Sequence, residues 1–358
     1  MKLATSTAAD AAASGQLQAG QPAAVHEGRV GVLLTNLGTP DGTDSGSVRR
    51  YLREFLSDPR VIELSRFIWY PILYGAVLTT RPQKSAAKYK TIWNETLDES
   101  PLRTITRSQA ERLKERFKDE PQIAVEWGMR YGNPSIKSAV DGLVAAGCDR
   151  IVFFPLYPQY SATTTATAND KLYRALMKMR NMPTVRSVPA YYDELVYVEA
   201  LARSVERHLA SIDFEPEVMI ASYHGIPVPY SERGDPYREH CLDTTRLLRE
   251  RLGFDEKKLI TTFQSRFGAQ EWLQPYTDKT VERLAREGVK SIAIVNPGFS
   301  ADCIETLEEI DAEVRETFLH AGGQNFSHIP CLNDSDGGMD VIEAIARREL
   351  SGWQASSR

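Results

Sequence analysis

From Arg29 onward the chain alternates short runs of β-branched, aliphatic and aromatic residues with longer amphipathic stretches, and this alternation restricts the fold more than any other feature. The runs are Val30–Leu34, Gln122–Trp127, Arg150–Phe154, Val218–Ser222, Leu259–Phe263 and Ser291–Val295. Each ends close to Gly, Pro, Asn or Ser before a helical pattern begins. Strands of near-continuous apolar character are buried on both faces, as in a parallel sheet covered by helices. The expected fold is α/β, with its chemistry in loops beyond the carboxyl ends of the strands.

The two halves echo each other. Gly128-Met-Arg-Tyr-Gly follows one run and Gln264-Ser-Arg-Phe-Gly another; Gly147 to Pro155 is answered at nearly the same offset by Gly288 to Pro297. General reuse of Gly and Pro at strand-to-helix turns accounts for part of this likeness. Duplication is the favoured reading. It gives two similar Rossmann-like domains, residues 29–185 and 186–352, with a cleft between them. Residues 1–28 are rich in Ala, Ser, Gln and Gly, with Lys2 the only Lys or Arg before Arg29. They lack both the apolar run of a signal peptide and the arginines of a transit peptide. A disordered tail is expected there.

At 358 residues the chain is long enough for two cores. A net charge of −5 speaks against nucleic-acid binding, which leaves a basic footprint. No G-x-x-x-x-G-K-[ST] occurs and no G-x-G-x-x-G follows a strand, so no nucleotide is expected. The four cysteines, Cys148, Cys241, Cys303 and Cys331, are widely spaced, which fits a reducing compartment. No apolar run approaches the ~20 residues that span a bilayer. The expected location is cytoplasmic, with contact at a membrane surface left open.

Three places carry candidate chemistry. His224 follows directly on the strand 218–222, in Ser222-Tyr-His-Gly-Ile-Pro, where an imidazole accepts a proton or binds a borderline metal. A histidine merely hydrogen-bonded at a strand end fits equally well. Asp302, Glu305 and Glu309 are spaced for one face of a helix if Asp302 opens it. Such a row conducts protons or cations, or simply complements the helix dipole; Glu308 and Asp311 read as solvated surface. The third place is Phe67 to Leu78, too short to span a membrane and interrupted by Pro71 and Gly75, which argue against a long regular helix. It reads as core, or as an apolar lip (67–84) that grips a flat ligand and rests on a bilayer, with Arg81 and Lys84 beyond it for carboxylates. Tyr89, Arg130, Tyr131, Trp272 and Phe299 suit either a wide apolar pocket or the core.

The ordered blocks Leu34-Thr-Asn-Leu-Gly-Thr-Pro, Tyr51-Leu-Arg-Glu-Phe-Leu-Ser-Asp, Pro155-Leu-Tyr-Pro-Gln-Tyr-Ser, Ser222-Tyr-His-Gly-Ile-Pro, Thr262-Phe-Gln-Ser-Arg-Phe-Gly and Ala301-Asp-Cys-Ile-Glu-Thr-Leu-Glu-Glu resemble the ferrochelatase family over nearly the whole chain. The resemblance implies a porphyrin cleft between the two domains and ATP-independent insertion of Fe²⁺, as substrate, into protoporphyrin IX. It carries the family's histidine onto His224 and its metal-site glutamate onto Glu305, with Glu309 and Asp302 continuing the acidic row. Leu37, Tyr89, Arg130, Tyr131, Trp272 and Phe299 match positions lining the porphyrin pocket; Arg81 and Ser100 match positions that hold propionates. Protoporphyrin IX, ferrous iron, a membrane surface and the upstream porphyrin-producing enzyme are the implied partners.

Two departures qualify the resemblance. Some relatives bind a [2Fe–2S] cluster through an internal cysteine and three tail cysteines; here the internal position is Ala162, so no such cluster is expected. Where many relatives have a second histidine before the metal-site glutamate, this chain has Cys303. The alternatives are a coproporphyrin III ferrochelatase, a chelatase for another metal or tetrapyrrole, and a non-catalytic porphyrin carrier.

Overall fold

The computed structural model describes residues 28–353, so the expected tail lies outside the described residues except for Gly28. Eight strands form two sheets. The first contains β1 (Arg29–Gly38), β2 (Ile123–Tyr131), β3 (Cys148–Pro155) and β4 (Thr184–Ser187), in the order β2-β1-β3-β4. The second contains β5 (Val218–His224), β6 (Leu259–Gln264), β7 (Ser291–Val295) and β8 (Asn325–Ile329), in the order β6-β5-β7-β8. Every pairing is parallel, so the halves share one topology.

The period-2 geometry of a strand sorts these side chains between two faces. Val30, Val32 and Leu34 of β1, Val152 and Phe154 of β3, Met219 and Ala221 of β5 and Ala293 and Val295 of β7 enter one core common to both sheets. Leu33, Ile151 and Phe153 face a separate cluster outside the first sheet, and Ile220, Ile292 and Ile294 another outside the second. Burying each such side chain stabilises by ~1.5–3 kcal/mol, which is why these runs carry no polar alternation. The C-terminal helix, Asp336–Leu350, belongs to the common core and also packs on the first half.

Two strands escape the periodicity argument. β4 and β8 are short edge strands, half-buried and partly polar, and neither contains a continuous apolar run. The lip also differs from expectation. α1 (Ser45–Leu56) is followed by α2 (Arg66–Ile72), a π-helical turn at Leu73–Val77 and α3 (Leu78–Ile92), so the segment is helical despite Pro71. The irregularity that Pro71 and Gly75 signal is taken up by the wider turn. α4 (Pro101–Arg116) then leads to β2.

In each sheet the chain crosses from one side of the first strand to the other, so a crevice opens at its carboxyl end. In the second sheet that end is His224.

Candidate active site

His224 is the last residue of β5, and Gly225 follows where there is no space for a side chain. A Cβ at Gly225 would stand 3.1 Å from the Gln264 carbonyl and 3.3 Å from the Trp272 ring. The imidazole Nδ1 lies 2.6 Å from the Gly225 carbonyl oxygen. A carbonyl only accepts, so Nδ1 carries the proton, and in the neutral ring it is Nε2 that has the lone pair. The Trp272 indole sits 6.4 Å from the imidazole, centroid to centroid.

The acidic row lies on a π-helix, Glu305–Val314. Glu309 accepts from the Ser265 backbone N–H at 2.8 Å and from its hydroxyl at 2.5 Å. Ser265, just past β6, adopts a left-handed φ of 60°, which turns both donors onto one carboxylate. Burial pushes the Glu309 carboxyl upward; the Ser265 hydroxyl and the nearby His224 act against it, and Glu305 adds to the rise. His224, Glu305 and Glu309 therefore share one electrostatic neighbourhood.

Gln264 holds the start of the same helix. Its amide donates to the Glu305 carbonyl at 2.7 Å, while its own oxygen accepts from Ser222 at 2.8 Å and Asn296 at 2.9 Å. Asn296 also donates to the Ser222 carbonyl at 3.1 Å, so its oxygen is left to accept, and His328 Nε2, 3.1 Å away, is the donor. Four strand ends are thus tied together beneath the site. Above it, Tyr51 and Tyr89 meet edge to face at 6.4 Å. Burial pushes both phenols well up and the Glu305 charge adds to it, so both stay neutral.

Asp302 does not open the helix. Its carboxylate accepts from the Thr306 hydroxyl at 2.9 Å, the Asn333 amide at 2.6 Å and the Cys331 N–H at 3.3 Å. It pins the chain ahead of the helix to the segment preceding the C-terminal helix, which leaves Glu305 and Glu309 as the row. The winding differs too: Lys88 binds Glu308 at 3.0 Å and Glu313 at 2.6 Å, five residues apart, which is the hydrogen-bond spacing of a π-helix. Glu308 is thereby fixed rather than merely solvated, and Asp311 pairs with Arg315. Cys303 is buried beside Glu305; burial, reinforced by that charge, keeps its thiol protonated.

The remaining expected residues are spread around this centre. Arg130 is committed to Asp58, donates through Nε to Thr167 at 2.7 Å, and lies 4.1 Å over the Tyr131 ring. Arg81 is exposed and stands 4.0 Å over the ring of Phe267, which also meets Trp69 edge-on. Trp69 is buried, with its indole N–H on the Leu56 carbonyl at 2.6 Å. The lip is therefore packed down on the loop after β6. Ser100 caps α4 by accepting from the Arg103 N–H, Leu37 is half-buried against the outer cluster of the first sheet, and Phe299 packs with Leu102 and Met129.

A ferrochelatase family model matches residues 29–350. The ferrochelatase of Mesorhizobium japonicum is 73% identical over 91% of this chain and 92% of its own length. That of Chelativorans sp. is 66% identical over 92% and 93%. The chain belongs to the ferrochelatase family.

Its function is that of a ferrochelatase, in haem synthesis. The SirB protein of Bacillus subtilis, solved with Fe³⁺, is similar in fold, with a TM-score of 0.54 over 90% of this chain and 96% of its own at 13% identity. Among the described residues of this ferrochelatase, no three His, Cys, Asp or Glu side chains stand close enough to hold a metal ion together. No helix among them is long and apolar enough to cross a membrane. Sequence reasoning missed Ser265, Gln264 and Asn296, although the first two lie inside a quoted block. Arg266 of the same block is exposed and paired with Asp278. Tyr51 and Asp58 likewise stand in a quoted block without having been assigned a part.

Proposed function

We propose that this ferrochelatase inserts Fe²⁺ into protoporphyrin IX without ATP, and that His224 receives the pyrrole protons. The carrying observation is the Nδ1 contact with the Gly225 carbonyl, which fixes the tautomer and leaves Nε2 open to a proton or to iron. Glu309, raised by burial yet beside His224, suits the onward acceptance of protons. Glu305 is the partner of His224 in holding iron briefly. Two ligands rather than a closed four-ligand cage suit a metal that has to leave with the product. Metallation requires two N–H protons to go and the nitrogen lone pairs to turn toward the metal. A cleft fitted to a bent macrocycle, gripped between the lip and Trp272, lowers that barrier.

The apolar lip favours the two-propionate protoporphyrin over coproporphyrin III, and it is the part of the chain suited to meeting a membrane surface or the enzyme that delivers the porphyrin. Phe67 is 93% and Ile68 61% exposed, which supports that reading. No iron–sulfur cluster enters the proposal: the position for an internal cysteine ligand is Ala162, and Cys148, Cys241, Cys303 and Cys331 are all buried.

The test is anaerobic mixing of protein, porphyrin and Fe²⁺ without ATP, followed by absorbance. Conversion of protoporphyrin IX to haem, lost in His224→Ala while porphyrin binding persists, is the expected result. Normal turnover by His224→Ala refutes the assignment, and faster conversion of coproporphyrin III refutes the choice of substrate.

A further inference from the structure

A groove of about 580 Å³ opens between α1, α2, the loop after β2 and the helix Thr167–Leu176. It borders the porphyrin and iron sites through Arg130, Tyr51 and the lip residues Tyr70 and Tyr74. Its three acids are already neutralised: Asp41 by Arg103 at 2.6 Å, Glu54 by Lys171 at 2.7 Å, and Asp58 by Arg130. Arg50, Arg53, Arg66 and Arg174 also line it, and none of them makes an ion pair among the described residues. Arg50 donates only to the Ser47 hydroxyl, and Arg66 lies 5.8 Å over the Tyr70 ring. The arginines elsewhere mostly have carboxylates, so four guanidiniums without an ion pair around one concavity are a local feature, although the Asp44 carboxylate acts on Arg50 from outside the groove.

A second observation is independent of charge. Ser57 lines the same groove, and its hydroxyl oxygen is buried with no hydrogen-bond partner among the described residues. Buried hydroxyls are seldom left so. Thr39, also in the lining, is 1% exposed, with the Tyr89 phenol beside its hydroxyl. A hydroxyl without a partner beside the groove and guanidiniums without ion pairs around it are complementary to one kind of ligand, an oxyanion.

We propose that this groove binds a phosphate group. A phosphate monoester or pyrophosphate brings more than one negative charge and several acceptor oxygens, whereas a carboxylate brings one charge and two oxygens. Planar guanidinium forks match phosphate geometry in pairs. The phosphate has two sources, a free phosphate compound or the headgroup of an anionic lipid. Arg66 shares α2 with the exposed Phe67 and Ile68, so a lipid headgroup would be reached with those side chains in the bilayer.

The experiment titrates the full-length protein with pyrophosphate by calorimetry, against chloride at matched ionic strength, and sediments it with phosphatidylglycerol or phosphatidylcholine vesicles. The variants are Arg50→Gln/Arg174→Gln and, as a second pair in case one does not fold, Arg53→Gln/Arg66→Gln. Saturable pyrophosphate binding, weakened about tenfold in either folded pair with iron insertion unchanged, is expected. Sedimentation with phosphatidylglycerol alone, lost in the same variants, identifies the lipid source; pyrophosphate binding without sedimentation identifies the free one. If neither probe binds beyond the chloride control, the proposal falls. It falls equally if protoporphyrin IX displaces pyrophosphate, since the groove would then belong to the porphyrin cleft.

Discussion

Replacing Ser265 by glycine isolates one hydrogen bond of the acidic row. Ser265→Gly keeps the backbone N–H on Glu309 and deletes the hydroxyl that lies 2.5 Å from its other oxygen. A hydrogen bond to an ionised group contributes ~1.5–3 kcal/mol. Water reaches a half-buried carboxylate, so about half of that is lost, ~1.1 kcal/mol, or a little under one pKa unit. The fold is little affected, because glycine relieves the ~1–2 kcal/mol left-handed strain of a φ of 60° while adding ~0.5–1 kcal/mol of chain entropy. The sign follows from burial, which raises the Glu309 carboxyl in the folded protein. The proton-bound form is favoured there, and the stability it brings is lost as pH rises through the folded value. Deleting the hydroxyl moves that value further up. An enzyme that needs ionised Glu309 then becomes active at higher pH. The acid limb of kcat/KM for Fe²⁺ should shift upward by a little under one unit, with the plateau retained. The assay is iron insertion across the weakly acidic to neutral range. An unmoved limb in Ser265→Gly would refute the reasoning, as would an intact limb in Glu309→Gln.

Three further outcomes follow from the same packing. Burial pushes Asp58 up, but Thr167, the Arg60 N–H and Arg130 outweigh it and hold it below the usual carboxylate range. Its stabilisation is therefore present above the unfolded value of ~3.9 and lost as pH falls through the folded one. Asp58→Ala should cost ~3–5 kcal/mol by leaving Arg130 buried and unpaired. Urea melts at neutral pH should show the full loss and melts at strongly acidic pH a smaller one. Asp302→Ala should lower stability by ~2–4 kcal/mol through its three lost hydrogen bonds, yet leave the acid limb in place; a shifted limb would return Asp302 to the proton path. Trp69→Ala should free the lip at a local cost of ~3–5 kcal/mol. Hydrogen exchange across residues 66–77 would report it, and unchanged protection would show that Trp69 does not hold the lip.

Six strands were legible because burial leaves a mark in sequence: β1, β2, β3, β5, β6 and β7 all coincide with apolar runs. β4 and β8 were not, since both are short and partly polar and are placed by their pairing with β3 and β7 rather than by an apolar run of their own. His224 could be placed at a strand end by counting. The acidic helix could not be drawn correctly, because its start and winding depend on distant partners. Asp302 is drawn away by Cys331 and Asn333, and Lys88 reaches in from α3. Ser265 was hidden for a similar reason: a serine in a left-handed turn looks like any loop serine until its two donors are seen on Glu309.

The two carboxylates beside His224 are held in different ways, and the difference suits different tasks. Glu309 is gripped at both carboxylate oxygens by Ser265, so its geometry is fixed and its proton affinity is what varies. Glu305 is held instead through its main-chain carbonyl by Gln264. Its carboxylate has the buried Cys303 thiol beside it, a weak donor that burial keeps protonated. A carboxylate anchored by its backbone but loosely held at its oxygens can turn toward an incoming cation and release it again. A fixed carboxylate whose affinity is tuned by burial and by a neighbouring imidazole is better matched to protons. Under the proposed function protons would pass by His224 and Glu309 and iron would be met by His224 and Glu305, with the dipeptide Gln264–Ser265 at the end of β6 holding both acidic residues.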